Sequence, residues 1–389
     1  MLVAPPDGRA AGADAAWIAE AVADALPRAL RELGVAVVER SERVRAQEEL
    51  ELAPSPLTRA SWIRLAEALG ATRLVTGAYE LEGAQLRLAL RILDVERATL
   101  SAPLTAGGPQ ETLGVLLRGL AWDIALASPH PPTGGRGEFL ARPDFGFHAL
   151  RAYARSLTAS DAAARTRLLR EALAAAPDHH DAWLELGRLQ LEARDHDGAL
   201  ASLARAEGSA RLAREAAFLR GVALLERGNF RAAAELLARL VGERPTPAAL
   251  NNHALALLRG AQPGAPRASE LLRWAVEEDP ALSEPPFNLG WALLCEGDHD
   301  GAAQWLRRVV QRDARDTHAR LALVWALRGA GHAAEADAEW AALMARAPGY
   351  AGMTAPETSR RFERILRFEG RARPTQGAPP GPAAVESEG

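Results

Sequence analysis

Leu186-Gly187 followed by Asp195-His196-Asp197-Gly198-Ala199 recurs in register as Leu289-Gly290 followed by Asp298-His299-Asp300-Gly301-Ala302. Every matched residue is offset by 103 positions (289 minus 186), three times a repeat of about 34 residues. The intervening and flanking sequence has helical periodicity. A helical unit of that length cannot bury its own apolar face, so successive units must stack into a solenoid that leaves one face open. That constraint governs over half of the chain and points to a protein that holds a partner rather than one that transforms a substrate.

The register extends beyond the matched pair. One unit has Trp183, Leu186, Gly187, Ala199, Leu203 and Ala206, and its predecessor ends with Ala172 and Pro177. The next carries Gly221, Gly228, Ala233, Leu237 and Pro245. A fourth has Asn252, Ala254, Ala275 and Pro280, with Pro263-Gly264-Ala265-Pro266 inserted in its turn. A fifth has Leu289, Gly290, Ala302 and Leu306, and a sixth Ala336, Trp340 and Pro348. Small residues let paired helices touch, and proline closes each unit. Residues 145–350 therefore resemble about six tetratricopeptide repeats, with Gln190 standing where the family usually has an aromatic. The resemblance implies an all-α superhelix whose first helices line a concave, partner-binding groove.

Residues 1–127 read differently. Asp14 is expected to cap a helix to about Leu33, followed by a short buried strand, Val35-Ala36-Val37-Val38. A second helix is expected from about Thr58 to Gly70. Leu74–Tyr79 and Leu86–Leu93 then form a hairpin about Glu82-Gly83-Ala84, with Leu88, Leu90 and Ile92 alternating against Arg87, Ala89 and Arg91. A strand at about Leu100–Leu104 and a helix at about Glu111–Ala127 complete an α/β unit. This order, with Gly77, the Arg87 strand and Asp94, resembles the TolB amino-terminal-like domains, which are related in pattern to the CsgG and FlgO envelope proteins. The resemblance covers about residues 2–105 and implies a second interaction surface. Residues 128–144, rich in proline and glycine, read as a linker. A capping helix is expected within 351–370, from about Pro356 to Phe368, and a disordered tail over 371–389.

Composition removes several enzyme classes. All 46 basic residues are arginine. Without lysine there is no Walker A phosphate cradle, no kinase lysine and no Schiff-base lysine. The single cysteine, Cys295, excludes an internal disulfide and a multi-thiolate metal site. A net charge of −4 gives no general grip on nucleic acid. No apolar run is long enough for a membrane span, and no leader-like segment opens the sequence, so the protein reads as cytoplasmic. A start site further upstream encoding a leader would instead make it periplasmic.

His179-His180-Asp181, Asp195-His196-Asp197 and Asp298-His299-Asp300 invite a metal reading, but the last two occupy turns, where Asp and Gly serve capping. No metal, cofactor or catalytic residue is assigned. The candidate groove is built on the residues beside the small position of each first helix: Arg188, Trp291 and Trp325, the last two expected as an aromatic pair. Asn252 and Asn288 sit two residues before their small positions and suit hydrogen bonding to a peptide backbone. Arg259 and Arg328, with Arg188, offer forked donors for carboxylate or phosphate. The expected function is a non-catalytic adaptor holding a protein or peptide. The alternatives are an envelope-assembly or secretion accessory protein, or the interaction module of a signalling or transcriptional regulator.

Overall fold

The computed structural model describes residues 1–9, 15–52, 57–128, 131–142, 145–260, 267–353 and 363–369. Asp14, the Pro263–Pro266 insertion, most of the expected capping helix and the 371–389 tail lie outside them. The chain divides into two compact units, Met1–Glu185 and Leu186–Gly389.

Unit 1 is built on a six-stranded mixed sheet. Strands β1 (Leu2–Val3) and β2 (Asp7–Arg9) both pair in parallel with β3 (Arg73–Glu82). β3 pairs antiparallel with β4 (Gln85–Asp94), in the expected hairpin. β4 in turn takes β5 (Thr99–Leu100) and β6 (Leu104–Pro109), also antiparallel. The third strand expected at Leu100–Leu104 is thus two short strands on either side of that stretch. Gly77 lies opposite Leu90, and a Cβ there would fall 2.1 Å from the Ala89 carbonyl oxygen, so the hairpin tolerates no side chain at that point.

Period-two alternation sends Leu86, Leu88, Leu90 and Ile92 to one face, against Ile18, Leu26 and Leu30 of α1 (Trp17–Glu32) and Leu117, Leu120 and Ile124 of α4 (Leu113–Leu126). On the other face Leu74 and Leu93 pack with Trp62, Leu65 and Ala66 of α3 (Arg59–Ala68). Thr58 caps α3 by accepting the Ser61 N–H at 3.2 Å, as a residue of its type should. Val35–Val38, expected as a strand, has no strand structure. It is tied to the amino terminus by Val38 N–H to the Met1 carbonyl, 2.9 Å. A polar helix not anticipated from sequence, α2 (Arg40–Glu49), follows it, closed by a reciprocal Glu39–Glu42 capping box. Its apolar periodicity is nearly absent. Ion pairing anchors it instead, with Arg43 buried on Glu20 of α1 at 3.0 Å.

The expected linker is partly structured. Within it, α5 (Arg136–Leu140) buries Phe139 in the unit 1 core beside Trp122, and the Arg118 guanidinium stacks 4.1 Å from the Phe139 ring while donating to its carbonyl at 2.7 Å. Beyond it, α6 (Gly146–Thr158), expected as the first helix of the repeat array, gives Leu150 and Ala154 to the same core. α7 (Ala162–Ala175) packs on α6, and the unit boundary falls inside α8 (His180–Glu192). Unit 1 thus extends through the linker to Glu185 because its apolar core takes in α5 and α6, which carry the next helices with them. At the start of α8 sits His179, fully buried and stacked 4.1 Å from Phe145. Its Nδ1 accepts the Ala182 N–H at 3.3 Å.

Unit 2 is a helical solenoid, and the fold class expected from sequence is the one formed: strands and helices first, helical repeats after. After α8 come α9 (His196–Ala206), α10 (Ala213–Arg227), α11 (Phe230–Glu243), α12 (Pro247–Gly260), α13 (Ala268–Glu278), α14 (Glu284–Glu296), α15 (His299–Arg312), α16 (Thr317–Gly329) and α17 (Ala333–Arg346). From α9 on, each helix packs on its sequence neighbours, and α10, α12, α14 and α16 also touch in succession, so they share one face. The repeated spacing has a steric cause. A Cβ on Gly187, Gly221 or Gly290 would lie 2.6, 2.9 and 2.6 Å from Leu203, Leu237 and Leu306 of the paired helix. Asp195 and Asp298 cap α9 and α15 by accepting the N–H of Gly198 (3.0 Å) and Gly301 (2.9 Å). The repeated Asp-His-Asp-Gly is therefore turn chemistry.

A second expectation, besides the Val35–Val38 strand, fails within the described residues. The sequence suggests a capping helix running to Phe368, but 363–369 has no helical structure. It lies extended along the face of α10, α12, α14 and α16.

Candidate functional site

Buried amides in an otherwise apolar helix must find partners, because an unmade hydrogen bond there costs about 1–3 kcal/mol. Helix α12 carries Asn251 and Asn252 in a stretch, Ala248–Leu257, that is buried throughout, and α14 carries Asn288; all three are 0% exposed. Their partners come from residues 363–369. Asn252 Nδ2 donates to the Leu366 carbonyl at 2.7 Å, and its Oδ1 accepts the Leu366 N–H at 3.0 Å. Asn288 does the same two residues earlier: Nδ2 to the Arg364 carbonyl at 2.8 Å, and Arg364 N–H to Oδ1 at 2.9 Å. Asn251 bridges the two, donating to the Arg364 carbonyl (3.0 Å) and to Asn252 Oδ1 (3.1 Å) and accepting from Asn288 Nδ2 (2.8 Å). Each amide thus behaves like the backbone of a neighbouring strand. Both backbone groups of Arg364 and of Leu366 are satisfied, and these amide contacts read no side chain of the segment.

Charged contacts fix the segment's register. Glu363 pairs with Arg259 at the end of α12. Arg364 pairs with Asp316, which caps α16, and its guanidinium lies 3.8 Å from the centre of the Phe287 ring. Arg367 pairs with Glu226 at the end of α10. Glu369, its side chain 5% exposed, receives Arg214 Nε of α10 at 3.0 Å and the Thr246 hydroxyl at 2.7 Å. The segment therefore crosses the first helices in descending order, from α16 to α10. Exposed Cys295 of α14 is drawn into the same electrostatics: its thiol is pushed up to about 11, first by burial among surrounding atoms and then by the Glu363 carboxylate.

Of the sequence-derived candidates, Asn252, Asn288 and Arg259 converge on this one segment. Arg188 pairs with Glu215, and Arg328 lies 5.2 Å from the Trp340 ring. Trp291 and Trp325 do form a pair, ring centroids 6.2 Å apart and tilted by 56°, but each is 4% exposed and belongs to the apolar core of unit 2. Replacing them with alanine would open a cavity in that core as well as altering a groove, so they are poor probes of binding. Sequence reasoning misses Asn251, Arg214, Thr246, Glu226, Phe287 and Asp316. Asn251 carries a usable signal: two adjacent amides inside an apolar helical run.

The repeats match a known family. A tetratricopeptide-repeat family profile matches residues 160–211, 185–249, 218–265 and 253–317. Residues 160–317 carry tetratricopeptide repeats. No match was found among curated proteins. Among solved structures, the chain is similar to YrrB, described as a tetratricopeptide protein with an unusual peptide-binding site: 17% identity, TM-score 0.40, covering 47% of this chain and 94% of that one. It is also similar to MamA from Desulfovibrio magneticus (19% identity, TM-score 0.39, 43% and 94% covered). A tetratricopeptide protein from Parabacteroides merdae gives 16% identity and a TM-score of 0.43, with 49% and 77% covered.

Proposed function

We propose that this protein is a non-catalytic adaptor whose repeat unit holds an extended segment of a partner protein by its main chain, with Asn251, Asn252 and Asn288 as the gripping residues. The observation that carries this reading is the paired amide contact, in which Asn252 and Asn288 each engage the N–H and the carbonyl of one residue, at alternate positions. Such contacts suit any extended chain, since every residue but proline offers the same donor and acceptor. Arg259, Arg214, Asp316 and Glu226 then add selection by charge. For unit 1, the mixed sheet and its β3–β4 hairpin support the resemblance to TolB amino-terminal domains, and in this reading that unit supplies a second contact surface. Two weak contacts on one chain act together through effective concentration.

The test is selection of peptides displayed on phage against the full chain. Binders should be displaced by a synthetic peptide of residues 363–369, and should lose binding to the Asn252→Ala/Asn288→Ala variant. Selected peptides that bind this variant undiminished would refute the groove as the binding site.

A further inference from the structure

The groove of unit 2 is closed by the chain's own residues, and the contacts they make are those a ligand would make. Four charges of the groove, Arg259, Asp316, Glu226 and Arg214, meet four opposite charges spaced along Glu363-Arg364-Ile365-Leu366-Arg367-Phe368-Glu369. Their side chains are 22%, 12%, 12% and 21% exposed, so an occupant with the wrong charge order would set like charges against each other at partly desolvated positions. The second position is the most demanding. It must pair with Asp316 and present a flat cation to the Phe287 ring at 3.8 Å, which suits arginine better than lysine. Glu369 must accept from both a guanidinium and a hydroxyl, which only a carboxylate does well.

We infer that the groove reads an extended segment of charge order acidic, arginine, apolar, apolar, basic, apolar, acidic, and that 363–369 is the chain's own copy of this ligand, which a partner bearing the same pattern must displace. This rests on the peptide-binding reading above. A segment tethered in the same chain acts at an effective concentration on the order of millimolar. If the isolated segment binds with a Kd on the order of 10 μM, the tethered copy weakens a free competitor by roughly 100-fold, because only the vacated fraction of molecules can bind. The partner is thereby held to a threshold: it must arrive in multiple copies, be tethered nearby through another contact, or fit better than the internal copy.

The experiment uses a fluorescent synthetic peptide of residues 361–371 and two forms of the full-length chain, wild type and Glu363→Ala/Arg364→Ala/Glu369→Ala, compared by anisotropy. The triple variant removes the segment's pairings with Arg259, Asp316 and Arg214, so the charge order predicts that the chain's own copy no longer docks, and it changes no residue of the solenoid helices. It should bind the peptide about 100-fold more tightly than wild type, and a peptide with all four charges reversed should not bind it. Equal affinity for wild type and variant overturns internal competition. Equal binding of the charge-reversed peptide overturns the charge code while leaving backbone recognition intact. Failure of the variant to bind either peptide overturns the peptide-binding reading itself. A wild-type dimer in sedimentation, lost in the variant, assigns the segment to a second copy and overturns the intramolecular closure.

Discussion

Substituting Asn252 by alanine isolates the main-chain grip from the charges. The change removes the acceptor of the Leu366 N–H and the donor to the Leu366 carbonyl, at 3.0 and 2.7 Å, and leaves both backbone groups half-buried against α12. Two lost bonds of this kind are worth about 1–3 kcal/mol in total, which corresponds to roughly a 5–150-fold shift in the docking equilibrium. Site-resolved amide hydrogen exchange reads that shift directly. In the wild-type chain, protection should alternate: the N–H groups of Arg364 and Leu366 are bound to Asn288 and Asn252, while those of Ile365 and Arg367 have no acceptor among the described residues. In Asn252→Ala the Leu366 amide should exchange like an unstructured chain. The Arg364 amide should speed up by the docking factor alone, since Asn288 still holds it. Circular dichroism and the melting of α9–α17 should be unchanged within error. Continuous protection across 363–369, as in a helix, would falsify the extended geometry; unchanged exchange in the variant would show that the amides do not hold the segment.

Three further outcomes follow from the packing and electrostatics. Gly290→Ala forces a methyl to 2.6 Å from Leu306 and should lower the stability of unit 2 by about 1–3 kcal/mol, measured by urea unfolding; a neutral result would remove the steric account of the repeat register. Glu363→Gln should lower the Cys295 thiol from about 11 and accelerate its alkylation by iodoacetamide at pH 8, since the carboxylate that opposes the thiolate is gone; a rate equal to wild type contradicts the contact. His179 is held down to about 3 by burial first and by Arg28 second, so the folded form keeps it neutral while the unfolded chain protonates it near 6.5. The unfolded state therefore binds more protons between about pH 6.5 and 3, and stability of unit 1 should fall as pH drops through that window, by up to about 1.4 kcal/mol per pH unit. His179→Gln, which keeps a capping acceptor without a titrating ring, should flatten that slope.

What could be read without coordinates was whatever repeats locally. Leu186-Gly187 and Leu289-Gly290 announce helices that must touch, and the steric reason is visible in how little room Leu203 and Leu306 leave. The β4 alternation is as local: Leu88 and Leu90 go inward and Arg87 and Arg91 outward because successive side chains of a strand point to opposite faces. Asn252 and Asn288 are legible as backbone-binding residues for the same reason, their fixed offset from the small position. Where periodicity is weak the reading fails. α2 has almost no apolar face and is secured by Arg43 on Glu20, and Phe139 looks like a linker residue until Arg118 and Trp122 are seen around it.

The sequence by itself determined that stacked helical hairpins occupy the second half of the chain, because a short helical unit cannot cover its own apolar stripe and so must repeat its packing residues in register. It also determined that amides would line the first helices. Only the tertiary structure decided what those amides bind. Asn252 and Leu366 are 114 positions apart, and the segment carrying Leu366 shows helix-like spacing when read alone. Its extended form is imposed from outside, by buried amides and charges on α10 to α16 that have to be satisfied, and no local pattern records an interaction whose two halves meet only after the solenoid has formed.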